Sequence, residues 1–91
     1  MIPIMQVPVL STAHLSKTVA ETMTAERSRY QWCAVAEWTY GYFVYLAELD
    51  IDAPQCLHDI YTWLTKNGFT DCWVRLDADA DPVEELHTYN W

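Results

Sequence analysis

An α+β fold in the order strand-helix-strand-strand-helix-strand is predicted by three observations. A helical stripe with its own start and stop signals occupies "DIDAPQCLHDIYTWLTKNGF". A run dense in aromatic and β-branched residues, "YQWCAVAEWTYGYFVYLAEL", carries a glycine near its middle. Apolar, β-branched segments lie near both ends of the chain, in "IMQVPVLST" and "DCWVRLDAD".

The elements follow in order. "IMQVPVLST" reads as the first strand, and Pro8, which has no N–H for a ladder, suits an edge or a bulge. "LSKTVAETMTAERSR" reads as a helix capped by Ser16 or Thr18, with Thr18 and Glu21 spaced as a capping box. Its apolar stripe, Leu15, Val19 and Met23, is narrow, so this helix should lie on the sheet with much of itself in water. The aromatic run reads as a hairpin turning at about Thr39 to Gly41. Trp32, Ala34, Ala36 and Trp38 would share one face of its first arm, and Phe43, Tyr45 and Ala47 one face of its second.

In the next helix Asp52 is the expected cap, Pro54 sits in the first turn, and Gln55 completes a capping box. Leu57, Ile60, Tyr61 and Leu64 form its apolar stripe, and Asn67-Gly68 supplies the left-handed stop. "DCWVRLDAD" is the last strand. Beyond it Asp81-Pro82-Val83-Glu84 has the form of a capped helix start, with Glu85 in the first turn, and predicts a short C-terminal helical turn anchored by Tyr89 and Trp91. The whole order matches the ferredoxin-like β-α-β-β-α-β plan. That plan is a four-stranded antiparallel sheet in the order 4-1-3-2 with two helices on one face.

Residues 1–91 are read as a single α+β domain, because a chain of this size buries about 60 to 65% of its unfolded surface around one core. No window approaches the roughly 18 consecutive apolar residues of a membrane helix, and no basic n-region opens the chain. The expectation is a cytoplasmic protein that makes no membrane contact. Cys33, Cys56 and Cys72 are widely spaced in apolar segments and read as buried free thiols.

Thirteen acidic residues against five basic ones give a formal charge of -8. Phosphate binding depends on Lys and Arg releasing counterions, so direct nucleic-acid binding is disfavoured and a basic partner is favoured.

Five carboxylates, Asp77, Asp79, Asp81, Glu84 and Glu85, crowd one short stretch. As a calcium loop it fails, because Pro82 stands where a glycine makes the sharp turn and Thr88 where a bidentate glutamate belongs. Helix chemistry accounts for Asp81, Glu84 and Glu85, leaving Asp77 and Asp79 as a same-side pair on a strand. Such a pair suits a divalent ion or acid-base work, so a metal-dependent hydrolase is the alternative from another class. No second cluster completes that site, and neither a metal nor a cofactor is expected. Ser11 or Thr12 with His14 or His87 lacks the orienting motif of a nucleophilic site, and turn hydrogen bonds explain Ser11, Thr12 and His14 better.

The aromatic hairpin resembles in placement the base-stacking face of RNA-recognition domains, but Glu37 and Glu48 surround it where those domains carry bases. A protein-contact surface or a homodimer face fits it better. Extended mimicry of nucleic acid needs a long acidic face, and the acids here fall in two separate groups, Glu48 to Asp52 and Asp77 to Glu85.

"STAHLSKTVAETM", "GYFVYL" and "VRLDADADPVEELHTYNW" resemble a family of small uncharacterised bacterial proteins, classed as a domain of unknown function and carried on plasmids, prophages and genomic islands. The matching positions are Ser11 to His14, Gly41 to Tyr45 and Leu86 to Trp91, with departures at His87 and Ala80. The resemblance implies a mobile-element setting, in which small acidic proteins disable host defence machines in the manner of anti-CRISPR and anti-restriction proteins.

The expected function is therefore non-enzymatic: docking on the basic surface of a host protein or nucleoprotein complex. Trp38, Tyr40, Tyr42, Asp77, Asp79, Glu84 and Glu85 are the expected contact residues. An accessory role in a toxin–antitoxin-like module is a further alternative.

Overall fold

The computed structural model describes residues 2–90. Strand β1 spans Val9–Ser11, helix α1 Lys17–Glu26, β2 Ala34–Trp38, β3 Gly41–Leu46, helix α2 Gln55–Lys66 and β4 Cys72–Asp77. Short 3-10 turns follow β1 at Thr12–His14 and α1 at Arg27–Arg29. Among the described residues no helix is long and apolar enough to cross a membrane.

The element order is the expected one, but the sheet is not the ferredoxin-like one. Its order is β1-β4-β3-β2. β1 runs parallel to β4, whereas β4 with β3 and β3 with β2 are antiparallel, so the sheet is mixed. The difference has a local cause. The 4-1-3-2 order needs β1 inside the sheet, bonded along both edges, and Pro8 has no N–H to give. β1 shrinks to three residues at the edge, and residues 4–8 before it form no strand. β4 takes the inner place, with Val74 and Leu76 completely buried and all six of its residues paired to β3.

One face of the sheet carries Leu10, Val35, Tyr42, Val44, Leu46, Val74 and Leu76, which pack with the stripes of both helices into a single hydrophobic cluster. Leu15, Val19 and Met23 supply the contribution of α1 and its approach, and Leu57, Ile60 and Leu64 that of α2. Ser16 is the cap of α1, its hydroxyl accepting from the Val19 amide; Thr18 lies inside the helix, so the expected capping box is not used. α1 stops where Arg27 adopts a positive φ of 51°.

At α2 the N-terminal cap differs from expectation. Pro54 holds the cap position, Asp52 instead donates its amide to the Asp50 carboxylate, and Gln55 bonds Asp59. The C-terminus is as predicted. Phe69 N–H reaches Leu64 O and Gly68 N–H reaches Thr65 O, the paired bonds of a Schellman stop, with Gly68 at φ 90°.

The hairpin between β2 and β3 turns on Thr39 and Tyr40. Gly41 follows because a Cβ there would run into the Leu76 carbonyl oxygen. Beyond β4, the expected helical turn is present only as a single unpropagated turn. Residues 83–86 make one isolated turn, Leu86 N–H to Val83 O, before the chain runs on without regular structure to residue 90. A single turn fixes several dihedrals for one bond and does not propagate unless residues beyond it continue the ladder. Tyr89 anchors this tail as expected, while Trp91 lies outside the described residues.

Candidate functional site: an uncovered aromatic sheet face

Successive residues of a strand point to opposite faces, so the alternation that buries Val35, Tyr42, Val44, Val74 and Leu76 sends their neighbours outward. The register sets Ala34 opposite Tyr45, Ala36 opposite Phe43, and Phe43 and Tyr45 opposite Arg75 and Trp73. Together with Trp38 these residues form the second face of the sheet, as the hairpin pattern predicts, and no described element covers it. Val9, Ala34, Ala36 and Tyr45 are exposed, and Trp38, Phe43, Trp73 and Arg75 are half-buried by one another.

The face has two aromatic corners. At one end Trp38 meets Tyr40 edge-on, with centroids 5.3 Å apart at 79°, and leans on Phe43 at 5.8 Å. The Arg75 guanidinium lies over the Trp38 ring at 5.3 Å and reaches the Asp77 carboxylate at 3.3 Å. At the other end Tyr45 and Trp73 meet at 5.5 Å and 68°, and the Tyr45 hydroxyl donates to the Asp71 carbonyl.

Asp77 and Asp79 are not a same-side strand pair, because the strand ends at Asp77 and Asp79 lies in the following turn. Asp77 is nearly buried. One of its carboxylate oxygens accepts from the Asp79 amide at 2.8 Å, and the other holds Arg75. The side chain that sequence reasoning left unexplained closes a turn and fixes the arginine over Trp38. Ala78 N–H donates to Tyr40 O, which brings the hairpin tip beside this turn.

The expected contact residues therefore divide. Trp38, Tyr40, Asp77 and Asp79 gather at one end of the open face. Tyr42 does not belong with them: it points to the helix side, 9% exposed, with its hydroxyl donating to Ala20 O and paired with the Thr24 hydroxyl. The strand alternation already separates Tyr42 from Trp38, since Tyr42 pairs with Glu37 on the opposite face. Glu84 and Glu85 sit in the tail turn, where Glu85 lines a groove with Asp59, Trp63 and Lys66 of α2, also on the helix side. Sequence reasoning missed Trp73 and Arg75, although their alternation with Val74 and Leu76 is the signal that finds them.

The Ser11 to His14 stretch has a structural task. The Ser11 hydroxyl accepts from the Ala13 amide, capping the 3-10 turn. His14, 2% exposed, accepts the Val83 amide on Nε2, so Nδ1 carries the ring proton and donates to His87 O. Both ring nitrogens are committed to the tail, which leaves neither free to take a proton from Ser11 or Thr12. Tyr89 N–H completes the contact at Ala13 O.

The cysteines are free thiols. Burial pushes the Cys33 thiol up to about 12, and burial with the nearby Asp71 raises Cys72. His58 is half-buried with its Nε2 enclosed and without a hydrogen-bond partner. Among the described residues no three His, Cys, Asp or Glu side chains come together to hold a metal ion.

No curated protein and no solved structure matches the chain. The family model that does match covers residues 7–91, which contain every strand and helix just described, and is that of the C-terminal domain of a family of unknown function. The chain belongs to this family, DUF5983.

Proposed function

We propose that this protein acts by binding another protein, laying its uncovered aromatic sheet face on a basic surface. The observation that carries the reading is that face itself: Trp38, Tyr40, Phe43, Tyr45 and Trp73 sit together on the side of the sheet away from the helices. Contiguous aromatic surface of this kind is typical of protein contacts, where Trp and Tyr are the usual anchors. The formal charge of -8 selects the partner's sign and would speed its approach. A homodimer through the same face would bring two such charges together, which favours a basic partner over a second copy.

The partner class we favour is a nucleic-acid-handling host defence complex, whose protein surfaces are basic. The resemblance to proteins of plasmids, prophages and genomic islands supports that setting. The protein would act there as an inhibitor rather than as an enzyme.

Ala36 lies exposed on the open face midway along the edge strand β2, paired with Phe43 of β3, and Ala25 lies exposed on α1. Ala36→Arg puts bulk and positive charge on the docking face; Ala25→Arg adds the same charge to the helix side. Pull-down from host lysate should give a partner retained by wild type and Ala25→Arg, lost by Ala36→Arg, and weakened at about 0.5 M salt. A partner held equally by both variants overturns the reading.

A further inference from the structure

We infer that the corner between Tyr45 and Trp73 receives an arginine side chain from the protein partner, an inference that rests on the docking reading above.

The chain itself shows what such a site looks like. At the other end of the face, Arg75 lies over Trp38 at 5.3 Å while Asp77 holds its guanidinium at 3.3 Å. A ring supplies the negative face of its quadrupole and a carboxylate supplies charge and geometry. The Tyr45 and Trp73 corner repeats the frame. Its rings meet at 5.5 Å and 68°, against 5.3 Å and 79° for Trp38 and Tyr40. An acid stands at this end too, for Tyr45 bonds the backbone of Asp71, whose exposed side chain is free to take part. The one part without a counterpart is the cation: among the described residues the guanidinium that lies over a ring is that of Arg75, on Trp38. Tyr45 is 36% exposed, so the corner is open to a side chain from outside.

Charge chooses the occupant. A chain with a formal charge of -8 attracts cationic partners, and an aromatic corner next to an acidic residue, Asp71, suits a cation better than an apolar residue. Between the two cationic side chains, arginine fits better. Its planar guanidinium lies flat on a ring while its edge still donates to a carboxylate, which a lysine ammonium cannot do at once.

The probe is a short synthetic peptide of alternating arginine and serine, titrated into the full chain by NMR and compared with its lysine and citrulline counterparts. The arginine peptide should shift the Tyr45 ring and Trp73 indole signals. Binding should weaken severalfold with lysine and vanish with citrulline, which keeps the shape but not the charge. Trp73→Leu should remove the response, and Trp73→Phe, which restores a ring, should keep most of it. A citrulline peptide that binds as well as the arginine peptide overturns the inference, as do shifts centred on Trp38 or an unchanged response in Trp73→Leu. If the arginine peptide does not bind but Ala36→Arg still loses the protein partner, this inference fails alone; if Ala36→Arg keeps the partner, the docking reading fails with it.

Discussion

The Val83 amide donates to Nε2 of His14 at 2.9 Å, across 69 positions of sequence, while Nδ1 of the same ring donates to the His87 carbonyl at 3.0 Å. One buried imidazole thus fastens the tail to the turn that follows β1. His14→Ala would leave the Val83 amide and His87 carbonyl without their partner, at a cost of about 1–3 kcal/mol. The expected signature is faster amide hydrogen exchange confined to residues 83–89, with β3 and β4 unchanged. Uniform loss of protection across the sheet would show that His14 supports the whole fold rather than the tail.

Tyr42 provides a test of which face does the binding. Tyr42→Phe removes the hydroxyl that meets Ala20 O and Thr24, and should cost about 1 kcal/mol in urea unfolding without changing partner capture. Loss of capture at unchanged stability would place the contact surface on the helix side.

The two glycines should respond differently to the same substitution. Gly68→Ala, at a helix stop with open space around it, should cost about 1 kcal/mol, the price of a left-handed backbone for a residue with a Cβ. Gly41→Ala meets the Leu76 carbonyl and must push β3 from β4, so a loss of about 3 kcal/mol or more is expected. Similar thermal shifts for the two variants would contradict the close approach at Gly41.

Alkaline stability should follow Cys33. Its folded thiol titrates at about 12 against an ordinary value of 9.0, because burial disfavours the thiolate. The folded state therefore binds this proton more tightly than the unfolded chain does. The resulting stability is fully present below pH 9.0 and is lost as pH rises toward about 12. Cys33→Ala should flatten the fall in stability across that window, measured by urea unfolding at each pH. Tyr30, also raised by burial, contributes in the same direction and should leave a residual slope.

Much of this fold is legible in the sequence, because local rules set it. The stripe of α2, its Asn67-Gly68 stop, the Ser16 cap and the two-sided alternation of the hairpin each depend on residues within a turn or two of one another. Strand order is different. Whether β1 or β4 lies inside the sheet depends on hydrogen bonding between segments far apart, and the clue is one missing N–H at Pro8. The tail misleads for a related reason: Asp81-Pro82-Val83-Glu84 has the local form of a helix start, yet the Val83 amide is taken by His14 from the other end of the chain. Both partners of Asp77, Arg75 and the Asp79 amide, lie two residues away and are local; what the local pattern does not show is the ring over which it holds the arginine, Trp38 on another strand.

The edge place of β1 has a consequence for synthesis. β1 is made before the other three strands of this sheet, yet has only β4 as a sheet neighbour, in the pairing Val9 with Arg75 through Ser11 with Asp77. Leu10 must wait with its apolar side chain unsheltered by β4 until residues 72–77 have been made. The hairpin of β2 and β3, whose pairing is local, can form well before. Closure of this sheet therefore comes last, when β4 slots between a waiting hairpin and a waiting edge.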